Sequence, residues 1–349
     1  MDATSPQKTE QPQQALPPAA QMMQMTMGFI VSQAISVAAK LYLADRLADG
    51  GKTLSELSEI TETHEPSLYR LLRALTSVGV FQRNADGRYE NSPLSEVLRT
   101  DVPESIRGAA HMICDREHWH AHGNLLHAVK TGETAFDHTF GMPVFPYFAQ
   151  NPAAARIFDE AMTSFNNPIG KAVAAAYDFA GAETIADIGG GHGLLLATVL
   201  AANPQAKGVL FDQPQVVAGA PEVLEANGVA ERVETVGGNF FEEIPVEADI
   251  YMMKFIIHDW NDEESIAILK NLAKSAKPGA KLLLVETVVE EDDSVASMSK
   301  VMDLNMLAMT SGRERTAKEY AGLFEKAGFK FTRVIPTPSP MQIVEAVKI

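Results

Sequence analysis

With 349 residues, 46% of them apolar, the chain is long enough to bury the core of one large domain or two. Its net charge of −16 opposes long-range attraction to nucleic acid, and its single cysteine, Cys114, cannot form an intramolecular disulfide. No apolar run approaches the length of a membrane span and no signal peptide is visible, so we expect a cytoplasmic protein with no membrane or nucleic-acid partner.

The N-terminal region divides into a leader and a long helix. Residues 1–21 are rich in Gln, Pro and Ala and lack hydrophobic periodicity, which predicts a disordered leader. A helix is predicted from about Met22 to Gly50, because apolar residues recur at helical spacing along one stripe: Ile30, Ile35, Ala38, Leu41 and Leu47.

The next segment predicts a helix, a second helix and a hairpin. Thr53 can cap the first helix, Pro66 suits the first turn of the second, and Asp86-Gly87 suits a hairpin turn. The second helix has one apolar face, formed by Leu68, Leu71, Leu72 and Leu75. This order is that of a winged helix-turn-helix, so we predict a helical winged-helix domain over residues 22–110.

The charge of this segment argues against a DNA-reading role. From Thr53 to Thr100 there are five Arg and seven acidic side chains, a net charge of −2. A protein that reads DNA needs a basic face for the phosphates. We therefore predict a structural or dimerising domain.

After a helical segment over residues 111–180, the pattern becomes that of a parallel α/β sheet. An apolar strand, a glycine turn, a helix and a second strand follow one another at residues 185–188, 189–193, 194–200 and 208–211. Further strands are predicted at residues 233–236, 250–255, 281–285, 330–335 and 342–347. We therefore predict a doubly wound α/β domain over residues 181–349.

Three features lie where predicted strands end, which is where such sheets bind ligands. They are the glycine turn 189–193, Asp212 and the pair His258-Asp259. The turn lacks the third glycine of the dinucleotide pattern, so a ligand without phosphates, such as S-adenosylmethionine (SAM), is more plausible. Asp212 then suits the ribose hydroxyls. Taken alone, the turn could also be a tight connection needed only for packing.

Six motifs follow one another along the chain: IADIGGGHG, FDQP, GGNFF, MMKFIIHDWND, LLLVET and GRERT. In their order and spacing the chain resembles the SAM-dependent O-methyltransferases of the caffeic acid and acetylserotonin type, from about Met22 to the C-terminus. The resemblance implies a Rossmann-like SAM-binding domain, a winged-helix dimerisation domain and a homodimer. It also implies methylation of a hydroxyl on a small aromatic or enolic acceptor.

The resemblance assigns residues around the glycine turn and the neighbouring strand ends to the cofactor. Asp212 would accept hydrogen bonds from the ribose, and the other contacts would come from Asp187, Gly189, Gly191, Gly193, Asn239, Phe240 and Lys254. Asn239 departs from the family, which usually has an aspartate beside the adenine. Because asparagine keeps an acceptor oxygen and adds a donor, we expect different hydrogen bonding there.

The catalytic group implied by the resemblance is His258, the general base for the acceptor hydroxyl. Its ordinary pKa of about 6.5 suits a base working near neutrality. Glu286 and Glu314 would bracket the imidazole and fix its tautomer, as an orienting carboxylate does. Asp259 is ambiguous between catalysis and structure, because it immediately precedes a helix start with capping-box spacing.

Methionines, aromatics and histidines cluster where the family builds its acceptor pocket. We predict substrate contacts, with plain core as the alternative at any one position, from His111, Met112, Trp119, Phe158, Met162, Phe165, Met302 and Met306. His118 and His122 would share a helix face, which allows a metal pair. A zinc site needs a third ligand and supporting groups, and we predict no metal.

The sequence therefore predicts a SAM-dependent O-methyltransferase. One alternative is a SAM-binding relative that methylates carbon or performs decarboxylation or hydroxylation. The joint presence of His258, Glu286 and Glu314 argues against it. A second alternative is a DNA-binding or SAM-sensing regulator, which the acidic winged-helix segment disfavours.

Overall fold

The computed structural model describes residues 16–349, and the chain divides into two compact units between Ser95 and Glu96. The boundary predicted at residue 110 therefore falls inside the second unit, and residues 111–180 belong to the same unit as the sheet. Of the predicted leader, residues 1–15 lie outside the described residues.

The first unit is mainly helical and ends in a small hairpin. Its elements are α1 (Pro18–Lys40), α2 (Leu43–Arg46), α3 (Leu54–Ile60), α4 (Glu65–Ser77), β1 (Phe81–Arg83) and β2 (Tyr89–Asn91). Thr53 caps α3 in a capping box with Glu56, and Pro66 lies in the first turn of α4. The apolar face of α4 is buried through Leu68, Leu72 and Leu75. Helix, helix and hairpin thus follow one another in the predicted order.

Helix α1 differs from the sequence expectation in two ways. It begins at Pro18 rather than near Met22, because the fixed φ of proline suits the first helical turn. By length and composition alone it could cross a membrane, whereas we expected no such segment. Many of its apolar side chains are exposed on the single chain: Met22, Met23, Met25, Met27, Phe29 and Ile30. An apolar face of this extent calls for a partner surface.

The second unit builds helices around a seven-stranded sheet. Helix α5 (Pro93–Glu96) spans the division, and the helices before the sheet are α6 (Arg107–Met112), α7 (Arg116–Gly123), α8 (Leu125–Thr131), α9 (Ala135–Phe140), α10 (Val144–Gln150) and α11 (Pro152–Ala176). The helices between strands are α12 (Leu194–Ala202), α13 (Pro214–Val217), α14 (Ala220–Ala226), α15 (Asp262–Ser275), α16 (Met298–Met309) and α17 (Ala317–Ala327). The strands are β3 (Thr184–Ile188), β4 (Lys207–Asp212), β5 (Val233–Gly237), β6 (Ile250–Lys254), β7 (Lys281–Glu286), β8 (Phe329–Pro336) and β9 (Gln342–Lys348).

The sheet has the order β5-β4-β3-β6-β7-β9-β8, and its first five strands are parallel. Strand β9 runs antiparallel to β7 and β8. The strand order reverses at β3, which lies between β4 and β6, so a ligand crevice is expected at the carboxyl end of β3. Every strand predicted from the sequence is present. Strand β6 ends at Lys254 rather than Phe255, because Phe255 has a φ of +56° that leaves the extended conformation.

Buried apolar side chains cover both faces of the sheet. One face packs against α15 and α17, with Leu272 and Phe324 among the buried residues. The other face packs against α11 and α12, with Val173 and Leu196 among them. Because the central strands are buried on both sides, their sequences are nearly continuous apolar runs. The polar residues at their carboxyl ends are therefore held on a rigid support.

Candidate active site

The glycine turn after β3 is closed on one side and open on the other. A Cβ added to Gly189, whose φ is +71°, would lie 2.4 Å from Cδ1 of Ile256. A Cβ added to Gly191, whose φ is +60°, would meet no atom within 4 Å. Gly191 N also donates to Oδ2 of Asp212 at 2.8 Å, which ties the turn to the end of β4. The backbone can therefore approach a ligand closely on the open side.

Asp187 is a buried carboxylate close to the glycine turn. Its side chain, near the end of β3, is 1% exposed, and neither oxygen has a well-formed hydrogen bond from the described residues. Burial raises the pKa of Asp187, and the positive charge of nearby Lys254 opposes this. Burial lowers the pKa of Lys254, and the charge of Asp187 opposes that in turn. A buried acceptor beside an open glycine turn fits a ligand with ammonium or hydroxyl donors, as SAM has.

The residues predicted at the adenine lie in the loop after β5. Oδ1 of Asn239 accepts from Phe241 N at 3.0 Å, and its Nδ2 donates to Glu242 at 3.2 Å. The amide thus stabilises its own loop. The ring of Phe240 borders the glycine turn, 3.9 Å from the position of a Cβ on Gly189. Contacts of Asn239 and Phe240 with adenine stay predictions.

A 3₁₀ turn, Ile257–Asp259, carries His258 just beyond β6. Nδ1 of His258 is 3.0 Å from Oε1 of Glu314 and 3.8 Å from Oε2 of Glu286. Nε2 faces Asp259, whose Oδ1 is 3.8 Å away. The other oxygen of Glu286 accepts from the backbone N–H groups of Ile256 and Ile257 at 3.2 and 3.0 Å. The two glutamates thus fix both the imidazole and the backbone that carries it.

These carboxylates change the acid-base behaviour of His258. Burial lowers the pKa of the imidazole, but the negative charges of Glu286 and Asp259 and the hydrogen bond to Glu314 outweigh burial and raise it to about 10. Burial raises the pKa of Glu286 to about 7 and that of Asp259 to about 6. The protein groups alone therefore favour the charged form of His258, compared with an imidazole at its ordinary pKa of about 6.5.

Two groups of side chains in the described residues could be considered as metal ligands: one around His258, and the pair His118 and His122. One ligand atom from each of His258, Glu286 and Glu314 lies within 4.8 Å of the others, so geometry alone allows a three-ligand site. We favour a hydrogen-bonded group, because Nδ1 of His258 already pairs with Glu314.

The rings of His118 and His122 are stacked with centroids 6.4 Å apart, and Nδ1 of His122 donates to the His118 carbonyl at 2.8 Å. Burial lowers the pKa of His118 to about 4.

Aromatic side chains connect the histidine to the helices before the sheet. The ring of Phe255 stacks on His258 at 5.3 Å, and Phe165 meets Phe255 edge-on at 6.4 Å. Phe158 joins a second group, through Phe145, whose ring stacks on Trp260 at 5.7 Å. Two of the predicted substrate residues, Phe158 and Phe165, therefore belong to aromatic groups that reach Trp260 and His258.

The other predicted substrate residues differ in exposure. Met112 and Met306 are buried, and Trp119 is 40% exposed. Intermediate exposure is found for His111, Met162 and Met302. Their contacts with an acceptor remain predictions.

Sequence reasoning missed two groups at this site. Phe255 is predicted to end a strand, whereas it has a positive φ, and its ring contacts both Nζ of Lys254, 4.2 Å from the ring centroid, and the ring of His258. Arg315 follows Glu314 in the GRERT motif, and its guanidinium donates to the carbonyls of Ile257 and Trp260, on either side of His258. The sequence around Phe255 carries no signal for a positive φ, and Arg315 meets its partners only in the folded chain.

Comparison with known proteins places this geometry in a family. Residues 122–330 match the O-methyltransferase domain, and residues 23–101 match the O-methyltransferase dimerisation domain. The phenazine O-methyltransferase PhzM of Lysobacter antibioticus is 42% identical over 332 residues, covering 95% of this chain and 97% of that protein. The mitomycin biosynthesis 6-O-methyltransferase of Streptomyces lavendulae is 38% identical and covers 90% of both chains.

A solved structure agrees with the two matched domains. Human N-acetylserotonin methyltransferase in complex with SAM has a TM-score of 0.88 at 27% identity, covering 96% of this chain and 99% of that one. The match to the dimerisation domain covers residues 23–40 of α1, where most of its exposed apolar side chains lie. The chain belongs to the O-methyltransferase family of the caffeic acid and acetylserotonin type and is a SAM-dependent O-methyltransferase.

Proposed function

We propose that His258 is the general base that removes the proton of the acceptor hydroxyl. The observation that supports this proposal is the position of the His258 ring. The ring lies just beyond the end of β6, and its Nδ1 pairs with Glu314 at 3.0 Å. In this proposal Nδ1 donates this hydrogen bond to the carboxylate, so Nε2 is the nitrogen that can accept a proton. Asp259 stands on the Nε2 side at 3.8 Å and would steer the imidazolium formed there.

The chemistry needs one base and good positioning. SAM, when bound, supplies an electrophilic methyl group on a positively charged sulfonium and leaves as a neutral thioether that needs no proton. Nε2 of His258 takes the hydroxyl proton as the acceptor oxygen forms its bond to the methyl carbon. Glu314 and Glu286 stabilise the resulting imidazolium. Asp187, Asp212 and Lys254 hold the cofactor beside the histidine in this proposal.

A base must be neutral before it can accept a proton, and the surrounding carboxylates favour the charged form of His258. A positive charge close to an imidazolium lowers its pKa. We therefore expect the pKa of His258 to fall when the sulfonium is present, so that the neutral base forms in the loaded enzyme. The carboxylates then stabilise the proton that the histidine receives in the reaction.

The acceptor that suits this site is a small planar aromatic hydroxyl compound. Flat apolar walls are offered by Phe255 over His258 and by Phe145, Phe158 and Trp260. Relatives named for phenazine and mitomycin substrates support this class. Methylation of carbon is the competing reaction, and its product would carry the methyl group on the carbon skeleton instead of on oxygen.

We also propose that the enzyme is a cytoplasmic homodimer that acts through no nucleic acid. The apolar face of α1 would be buried against the second copy. The acidic balance of residues 53–100 supports the absence of a DNA-binding role.

A methyl-transfer screen with SAM labelled in its methyl group tests the proposed reaction. The acceptors are phenols, catechols, hydroxyquinones and hydroxyphenazines, each beside its analogue lacking the hydroxyl and its analogue with an amine instead. Labelled methyl ethers from hydroxyl compounds alone support O-methylation. Label on the carbon skeleton of the deoxy analogues, or on the amines alone, would contradict it.

A further inference from the structure

One buried arginine holds the backbone of the turn that carries His258. The side chain of Arg315 has no solvent exposure. Its Nη1 donates to the carbonyl of Ile257 at 2.9 Å, and its Nη2 donates to the carbonyl of Trp260 at 2.8 Å. These two carbonyls flank His258 and Asp259 in the chain. The planar fork of a guanidinium suits two acceptors at a fixed separation, which an ammonium group cannot match.

The other edge of the guanidinium is anchored at the start of α15. Nε and Nη2 of Arg315 donate to Oδ1 of Asp262 at 3.0 and 2.9 Å. Asp262 is the first residue of α15, and its side chain is 43% exposed. The carboxylate balances a charge that would otherwise be buried alone. Arg315 therefore connects the catalytic turn to the rigid helix that follows it.

The same short segment touches the catalytic turn in two further ways. A Cβ added to Gly312 would lie 1.9 Å from the carbonyl oxygen of His258 and 2.4 Å from the carbonyl carbon of Asp259. Glu314 pairs with the imidazole at 3.0 Å. The segment 312–315 thus contacts the turn through its own backbone, through a carboxylate on the ring and through an arginine on the carbonyls.

We propose that Arg315 is a positioning residue for methyl transfer, which sets the orientation of His258 by holding the Ile257 and Trp260 carbonyls. It acts on the backbone of the turn, whereas Glu314 acts on the ring. This inference rests on the proposed function, because it assumes that His258 must be aimed at the acceptor. It predicts a loss in the rate of the chemical step while SAM binding is retained, because the guanidinium contacts the catalytic turn rather than the glycine turn.

The test compares Arg315→Lys with Arg313→Lys. Arg313 lies in the same segment and pairs with the other oxygen of Asp262 and with Glu319, both at 2.9 Å, with 45% of its side chain exposed. Each variant keeps its positive charge. We expect Arg315→Lys to lower kcat by about 10- to 100-fold, since a small misplacement of a catalytic group has effects of that size. Arg313→Lys should stay within about twofold of wild type.

The assay uses labelled SAM with the hydroxyl compound that gives the most product in the screen, and calorimetry measures SAM binding separately. Equal kcat values for the two lysine variants would overturn the proposal. Should Arg315→Lys unfold, Gly312→Ala displaces the turn from its other side and should lower kcat with SAM binding intact. A wild-type kcat for Gly312→Ala would then overturn it. His258→Ala is measured alongside: if that variant keeps the wild-type rate, the proposed base itself has failed, and not only its positioning.

Discussion

Two buried ionisable groups at the same edge of the sheet, Asp187 and His258, have opposite surroundings. Neither oxygen of Asp187 has a well-formed hydrogen bond from the described residues, and Lys254 supplies the nearby positive charge. The imidazole of His258 is surrounded by three carboxylates and paired with one of them. In the proposed site the acceptors of Asp187 therefore serve the cofactor, whereas the charge of His258 is balanced within the protein.

In the proposed mechanism this difference separates cofactor recognition, by Asp187, from proton transfer, by His258. If so, Asp187 should matter for SAM affinity and little for the pKa of the histidine. The carboxylates around the histidine should matter for the rate and little for SAM affinity. Four predictions test whether the two halves are as independent as their contacts indicate.

The largest effect among these four is expected on SAM binding by Asp187→Ala. Loss of a buried charged acceptor should weaken SAM binding by about 10- to 150-fold, the equivalent of a charge-assisted hydrogen bond of about 1.5 to 3 kcal/mol. Isothermal titration calorimetry measures this directly. Glu345→Gln is a matched control, because Glu345 is also buried in the sheet but pairs with Tyr177 and Arg333. Unchanged affinity in Asp187→Ala would remove Asp187 from the cofactor site.

The next effect is on kcat in Glu314→Gln. This substitution keeps the shape of the side chain and removes its charge. We expect kcat to fall about tenfold, because the imidazolium formed during the reaction loses part of its stabilisation. The dissociation constant of SAM should stay within about twofold of wild type. A variant that loses SAM affinity and keeps kcat would show that the two halves of the site are not separate.

The third prediction concerns the pH dependence of the rate. The protein groups raise the pKa of His258 to about 10, and the base must be neutral. The single-turnover rate should therefore rise with pH, up to tenfold per unit, until the pH passes the pKa of the histidine in the loaded enzyme. NMR titration of labelled histidine should give a lower pKa with SAM bound than with S-adenosylhomocysteine, which lacks the positive charge. Equal pKa values in the two complexes would contradict this.

The smallest effect is on stability. The pKa of His258 is higher in the folded protein than the ordinary value of about 6.5. Its contribution to the free energy of unfolding is therefore fully present below about pH 6.5 and is lost as the pH rises toward 10. Urea unfolding of wild type and His258→Gln at several pH values should show a difference that shrinks as the pH increases. A difference that grows with pH would reverse the sign of the pKa shift.

Much of this fold can be predicted from local sequence patterns. The capping box of Asn261 and Glu264 starts α15 as its spacing predicts, and the strands of the sheet lie where the apolar runs indicate. The glycine turn is also visible, since positive φ angles at Gly189 and Gly191 favour glycine. Each of these features depends on residues close together in the chain.

The charge environment of the site could not be predicted in the same way. The pKa of His258 depends on Glu314, which is 56 residues away in the chain. Arg315, which donates to the carbonyl of Trp260, is 55 residues away from Trp260. The positive φ of Phe255 has no signal in the sequence around it, which predicts a strand up to that residue. Resemblance to a family can identify such residues from sequence motifs. Only the folded chain shows which atoms they contact and which charged groups surround them.

The most direct test is a single turnover of His258→Ala with labelled SAM already bound. The acceptor is the hydroxyl compound identified in the screen, and the quantity measured is the rate of label transfer from the bound cofactor. We predict that the dissociation constant of SAM stays within about threefold of wild type, while the rate falls by about 10²- to 10⁴-fold, the contribution of a general base. A His258→Ala variant that binds SAM and transfers its methyl group at the wild-type rate would contradict the account.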